Sequence, residues 1–364
     1  MGALLMRIVT FVVRRLAAGL FTWLVMLTLT FVVFWAIPQR PESFVYPNAP
    51  NPMPAFQIHK ADQLLGLDRS KLDQYFDYIS HDLRFDFGSS WSGSSISPQQ
   101  TLVKGPPVGP YLYAALRRTL SLVLGGAVFV LLLGIPLGTI AGSRVGSIAD
   151  RTISIVTLVA VCLHPMILGL LLRSLFGHRL HWAPESGYCP LVAPGKVPAG
   201  FQECSGVGAW AAHLALPWLT FALLFLALYT RMIRASVAET LPEDYVRTAR
   251  AKGASEVRVL SRHVLPNAGL KVLTMIGMEI GTAIGVCIYL ETVFGIGGLG
   301  QLAVFQLGGQ GPLDLPSVLA LVTMLTLVVV IGNIVVDVLY AVIDPRAGRI
   351  PIGRGEKSLA GGVI

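Results

Sequence analysis

Glu279 is the one acidic residue deep inside an apolar run of this 364-residue chain. A charge at mid-bilayer costs about 3 kcal/mol or more on insertion scales, so such a group belongs beside water, a cavity or a partner. Two readings stand side by side: a pathway lining that attracts a cation, or a protonated or paired structural carboxyl bonded to His164. His164 itself precedes Pro165, whose ring removes a helix hydrogen bond and kinks the stretch around it. The string Gly295-Ile296-Gly297-Gly298-Leu299-Gly300 formally matches GxGxxG. A dinucleotide fingerprint requires a preceding strand and a βαβ unit, and this string follows an apolar helix. Its glycines suit a tight re-entrant turn, an outer gate where backbone is buried in protein or lines water. Cys189 and Cys204 share a polar loop and could form a disulfide if that loop faces an oxidising compartment. Cys162 and Cys287 lie inside apolar runs and read as packing residues. With no CxxC pair and no histidine at metal-ligand spacing, no metal site is expected, and no residue is assigned covalent chemistry.

The elements that position these residues follow from composition. Hydrophobic residues make up 54% of the chain and charged residues 13%, and the mean hydropathy is +0.67. Soluble domains carry about 25% charged residues. A soluble protein this apolar would expose large greasy patches, so a bilayer is its natural solvent. The net charge of +8 does not point to nucleic acid, because the basic residues cluster beside the apolar runs.

Six stretches reach the roughly 20 apolar residues that a spanning helix needs. They are Leu16–Ile37, Thr119–Ala141, Thr152–Phe176, Ala211–Tyr229, Leu270–Leu290 and Ser317–Val342. Lipid offers no partner for free N–H or C=O groups, so all six are expected to be helices, giving an all-α membrane protein. The first run is too long for a signal peptide and lacks a small-residue cleavage site. Arg7, Arg14, Arg15, Arg144, Arg151, Arg346 and Arg349 fall on the same side as the basic segment after the fourth span. By the positive-inside rule both termini are cytosolic. Residues 38–118 then form a long extracytosolic segment, 119–346 a five-span core with an outer loop at 177–210, and 347–364 a cytosolic tail. Within the outer segment, residues 39–54 are expected to be extended. Asp68 is expected to cap a helix whose Leu72, Tyr75, Phe76, Ile79 and Leu83 form one apolar stripe, lying on the membrane surface or packed on the spans.

The cytosolic segment 231–269 is the most informative. Pro242 suits a first helical position, Glu243 and Asp244 favour the positive helix end, and Arg250 and Lys252 sit at the far end before Gly253, a left-handed cap. These signals predict a helix of about eleven residues, roughly 16 Å long, with Tyr245, Val246 and Ala249 as its small apolar face. A second helix is expected to start at Ser255 and to stop before Pro266. Such a short capped helix can act as a rigid plug for a partner's groove, or it can rest on headgroups as an amphipathic loop.

The run Arg247-Thr248-Ala249-Arg250-Ala251-Lys252-Gly253, with His263-Val264-Leu265-Pro266 further on, resembles the coupling loop of ABC-importer permeases. The family pattern is Glu-Ala-Ala, three residues, Gly, nine residues, Ile, any residue, Leu-Pro. Arg247 and Thr248 replace Glu-Ala and His263 replaces Ile, which is similar to the dipeptide/oligopeptide/nickel branch. LGLD at 65–68, DFG at 86–88, HWAPESGY at 181–188, ETVFGIGGLG at 291–300 and VVDVLYAVIDPR at 335–346 extend the likeness over most of the chain. The stretches 41–63 and 189–210 fall outside it. The resemblance implies a type I permease fold and a B-type subunit of a peptide importer in a bacterial inner membrane. It implies pairing with a second related permease, one or two cytosolic ATPases and an extracytosolic substrate-binding protein, with membrane lipid around it and no nucleic acid. Residues 243–254 with Leu265 and Pro266 would form the ATPase-coupling site. The chain has no GxxxxGK[ST] phosphate loop, so ATP and Mg belong to the partner subunits and no cofactor to this one. The same machine could import nickel or another small solute. A different class, an ion-coupled carrier with Glu279 as proton site, would show inverted repeats, and none is seen.

Overall fold

The computed structural model describes residues 2–36, 54–92, 95–96, 102–191, 204, 206–308 and 314–343. In chain order its helices are α1 (Gly2–Ala36), α2 (Ala55–Leu65), α3 (Lys71–Leu83), α4 (Val108–Ser143), α5 (Ile148–Cys162) and α6 (Pro165–Leu172). They continue as α7 (Val207–Thr240), α8 (Asp244–Ala251), α9 (Glu256–Val259), α10 (Leu265–Phe294), α11 (Leu299–Gly308) and α12 (Leu315–Ile343). A two-residue antiparallel pair, β1 (Ser95–Ile96) and β2 (Leu102–Val103), is the sole sheet among the described residues. Five of the helices are long and apolar enough to cross a membrane unaided.

The third expected span is the exception. Residues 152–176 do not form one helix: α5 and α6 meet at a 108° bend, and α6 runs on into a π-helical turn at Arg173–Arg179. Proline disfavours helical backbone at the residue before it. Leu163 and His164 are accordingly extended (ψ 136° and 138°), and His164 Nδ1 accepts from the Met166 N–H to cap α6. The kink expected at Pro165 is thus a full break.

The core is the pairing of α4 with α7, which buries Leu122, Val130, Leu214, Phe221, Phe225 and Ile233. Between helices in lipid there is little hydrophobic drive, so close contact depends on small residues. Gly126 shows why: a Cβ there would stand 2.6 Å from the Phe221 ring. Gly142 does the same at the other end, where a Cβ would meet the Arg234 carbonyl at 2.7 Å. Trp218 Nε1 donates to the Ser121 carbonyl (3.0 Å), fixing the register of the pair. On the opposite flank α1 packs along α12, and Arg15 pairs with Asp337 at 3.2 Å.

The segment between α1 and α4 holds two helices, α2 and α3. The N-cap of α3 is Ser70, which accepts from Asp73 N–H, rather than Asp68. The expected stripe is divided, with Leu72 and Phe76 exposed (70% and 65%) and Tyr75 and Ile79 partly buried. The inward face of α3 carries Tyr75, whose hydroxyl meets Thr28 Oγ1 (2.7 Å), and Tyr78 with Asp82, both bonded to Thr323 of α12. Polar side chains with buried partners outrank apolar ones that lipid or a neighbour can cover. The stretch 39–53 and the tail 347–364 lie outside the described residues.

Candidate functional site

In the segment after α7, Val246, Val259 and Val264 are fully buried in the main apolar cluster and pin it from beneath. Ala249, Ala254 and Leu265 pack partly against the same cluster. Glu243, Asp244, Tyr245, Arg247, Thr248, Arg250, Ala251, Lys252, Gly253 and Pro266 are exposed. The apolar face expected on α8 is therefore divided, Val246 and Ala249 inward and Tyr245 outward. α8 has eight residues rather than about eleven, because Glu243 is the extended N-cap (ψ 145°) and Pro242 lies in the turn before it. Gly253 takes the left-handed conformation (φ +83°), which L side chains resist.

Ser255 caps α9 without a side-chain bond. The chain does not stop before Pro266: a π-helical turn at Leu260–Val264 leads straight into α10. Pro266 falls in the first turn of α10, where a missing N–H costs nothing. Arg250 grips Glu256 with two parallel bonds (Nε–Oε1 2.8 Å, Nη2–Oε2 3.1 Å), tying α8 to α9 across the Gly253 turn. The guanidinium holds the Glu256 carboxyl below its ordinary range. Just behind, Arg234 of α7 forks onto Asp150 of α5 (2.6 and 2.8 Å), and Gly146 N–H donates to the same carboxylate. The segment 231–269 is thus fastened to the turn between α4 and α5, a link that nothing in the spacing of Asp150 announces.

At the far end of α10 the glycine string forms the turn into α11. Gly295 (φ +63°) ends α10 and Gly297 (φ +72°) turns the chain. Glu291 is fully buried beneath them and accepts from Thr119 Oγ1 (2.6 Å) and the Gln301 N–H (2.9 Å). Thr119 Oγ1 in turn accepts from the Leu299 N–H (2.9 Å). A Cβ on Gly298 would lie 2.3 Å from Glu291 Oε1, and one on Gly300 2.6 Å from Ile288 Cα, so both positions require glycine. Arg118 donates to the Gly297 carbonyl (3.2 Å) and Arg173 to that of Val293 (2.6 Å).

Glu279 and His164 are not brought together. The His164 ring meets Tyr289 edge-on at 4.8 Å. Glu279 lines a cavity of about 380 Å³ between α4, α7, α10 and α12, with Leu120, Val123, Phe225, Tyr229 and Val328. Cys189 and Cys204 are joined by a disulfide, with Cα atoms 5.5 Å apart. Sequence reasoning missed Glu291, which stands at the edge of an apolar run and looks like a loop residue. The signal that could have found it is the glycine string itself, since backbone N–H groups turned inward need a buried acceptor.

The comparisons with known proteins point one way. The profile of the binding-protein-dependent transport system inner membrane component matches residues 134–349, and that of its N-terminal membrane component matches 8–88. The chain is 31% identical to the di/tripeptide transport system permease protein DppB of Pseudomonas aeruginosa, over 93% of this chain and 98% of that one. It is 30% identical to the oligopeptide transport system permease protein AppB of Bacillus subtilis, over 92% and 98%. It is 31% identical to the glutathione transport system permease protein GsiC of Escherichia coli, over 92% and 97%. Among solved structures it is similar to an inward-facing form of the MetNI methionine ABC transporter, at 19% identity and a TM-score of 0.47, over 64% of this chain and 96% of that one. This chain therefore belongs to the binding-protein-dependent transport system inner membrane components, the permease subunits of ABC importers, in their peptide-permease branch.

Proposed function

We propose that this chain is the permease subunit of an ATP-driven peptide importer. It contributes half of the pathway, the other half coming from a second related permease. One cytosolic ATPase docks on residues 243–254, with Leu265 and Pro266 at the rear of the same surface, while a binding protein delivers substrate outside. Both termini are cytosolic. Glu279, the one carboxylate on the wall of the membrane cavity, offers attraction to a peptide's cationic amino end, and the turn at 295–300 closes the outer mouth. ATP and Mg act on the partner subunits. Closure of the ATPases moves the coupling segment and swings the spans between inward- and outward-facing states.

The observation that carries this reading is α8: a short helix held from below by Val246 while its polar face stays exposed. A rigid element fixed on one side and open on the other suits force transmission better than resting on headgroups. The test is co-purification from mild detergent. Wild type should bring down ATPases and a second permease, and Gly253→Pro should lose the ATPases while keeping the permease, because proline cannot adopt φ +83°. A chain that purifies without ATPases sinks the proposal and favours an ion-coupled carrier using Glu279.

A further inference from the structure

The polar insert that leads into α7 brings three soft-metal ligands to one place. Cys189, Cys204 and His213 offer ligand atoms that all lie within 4.8 Å of one another. In a tetrahedral zinc site, with Zn–S about 2.3 Å and Zn–N about 2.0 Å, ligand atoms stand roughly 3.5 Å apart. The gathering is thus one small adjustment from a coordination shell. His213 supplies a second, independent mark. Its Nδ1–H donates to the Ala209 carbonyl (2.9 Å), which fixes the tautomer and leaves the Nε2 lone pair available. Metal-binding histidines almost always have their other ring nitrogen held in this way.

We propose that Cys189, Cys204 and His213 form a redox-gated site for a zinc-class divalent cation. As the disulfide, the two sulfurs carry no charge and hold the insert closed on themselves. A dithiol reductant gives two electrons and two protons to the S–S bond, becomes its own disulfide, and leaves two thiols. The cation then forms two metal–sulfur bonds and one metal–nitrogen bond, and the two thiol protons go to water. Two thiolates and a neutral imidazole exactly offset the charge of a divalent ion, so the complex is neutral. Neutrality suits the place, because Cys189 is fully buried while Cys204 and His213 are partly exposed, leaving a fourth position for water. The disulfide ties Cys189 to Cys204, and the metal-bound form adds His213 of α7 to the same link.

The experiment uses tag-free full-length chain in detergent with Cys162→Ser, reduced with a phosphine, since thiol reductants bind zinc themselves. Zinc alone is the probe, read by equilibrium dialysis, and cobalt substitution reports thiolate ligation by its charge-transfer band. Reduced protein should retain one equivalent and oxidised protein less than a tenth of one. His213→Ala, which leaves the disulfide intact, should weaken retention at least tenfold after reduction, and Cys189→Ser should abolish the cobalt band. Retention by reduced protein no greater than by Cys189→Ser, or unchanged retention in His213→Ala, would overturn the assignment.

Discussion

The two ends of α10 are held by opposite means. At the Phe294 end a buried carboxylate does the holding: Glu291 accepts from Thr119 and Gln301. The neighbouring start of α12 is held in the same way, where Asp314 accepts from Ser90 Oγ, Trp91 N–H and Ser317 Oγ, and Asp82 accepts from Thr323. At the Leu265 end, valines pin the chain from beneath and, apart from the part-buried Arg234–Asp150 fork, the polar contacts are exposed ion pairs, Arg250–Glu256 and Lys271–Glu239. Buried acceptors fix one geometry, since an unsatisfied donor costs about 1–3 kcal/mol each. Exposed pairs are worth little and exchange partners readily. The turn at 295–300 is therefore built for one shape, and the surface around α8 to be re-paired.

The contrast is broken most severely at Glu291. Glu291→Leu leaves the Thr119 hydroxyl and the Gln301 N–H without their acceptor and should cost about 3 kcal/mol or more, read as a drop in Tm in detergent. Gly298→Ala pushes a methyl into the same carboxylate and should cost roughly 1–3 kcal/mol, by the same measurement. Asp82 sharpens the comparison through pH. Burial lifts its carboxyl to about 6 from an ordinary value near 3.8. The folded state then keeps a proton that the unfolded chain releases, so this contribution falls as pH rises from about 4 to about 6 and is level above. Asp82→Asn should flatten the stability curve across that window, and an unchanged slope would assign the buried proton elsewhere. The smallest effect is expected at the Leu265 end. Glu256→Gln should leave Tm unchanged while altering the salt dependence of ATPase recovery, whereas a large loss of Tm would erase the distinction between the two ends.

The two ends also differed in how far the sequence showed them. Helix identity and the short helix α8 were legible because they rest on local signals: apolar length, the Glu243–Asp244 start, the Gly253 stop. The buried carboxylate contacts join residues far apart in the chain, Thr119 to Glu291 and Asp82 to Thr323, and no periodicity encodes them. The polar contacts of α3 were hidden for the same reason. Leu72 and Phe76 mark an amphipathic helix, but the burial of Tyr78 and Asp82 depends on what α12 offers them. Asp150 gave no sign of its role, since its partner Arg234 lies on another helix. Pro165 announced a kink, and the size of the bend came from the extended residues Leu163 and His164.

That bend has a consequence for the surrounding lipid. The 15 residues of α5 rise only about 22 Å, against a hydrocarbon layer of roughly 30 Å. Beyond the 108° turn, α6 and its π-helical continuation run along a different axis from α5. A bilayer of full depth cannot be matched by either limb alone. On this flank the acyl chains must shorten toward the protein, or water must dip to meet the freed backbone at His164. The importer would carry a dent in its own membrane at that point.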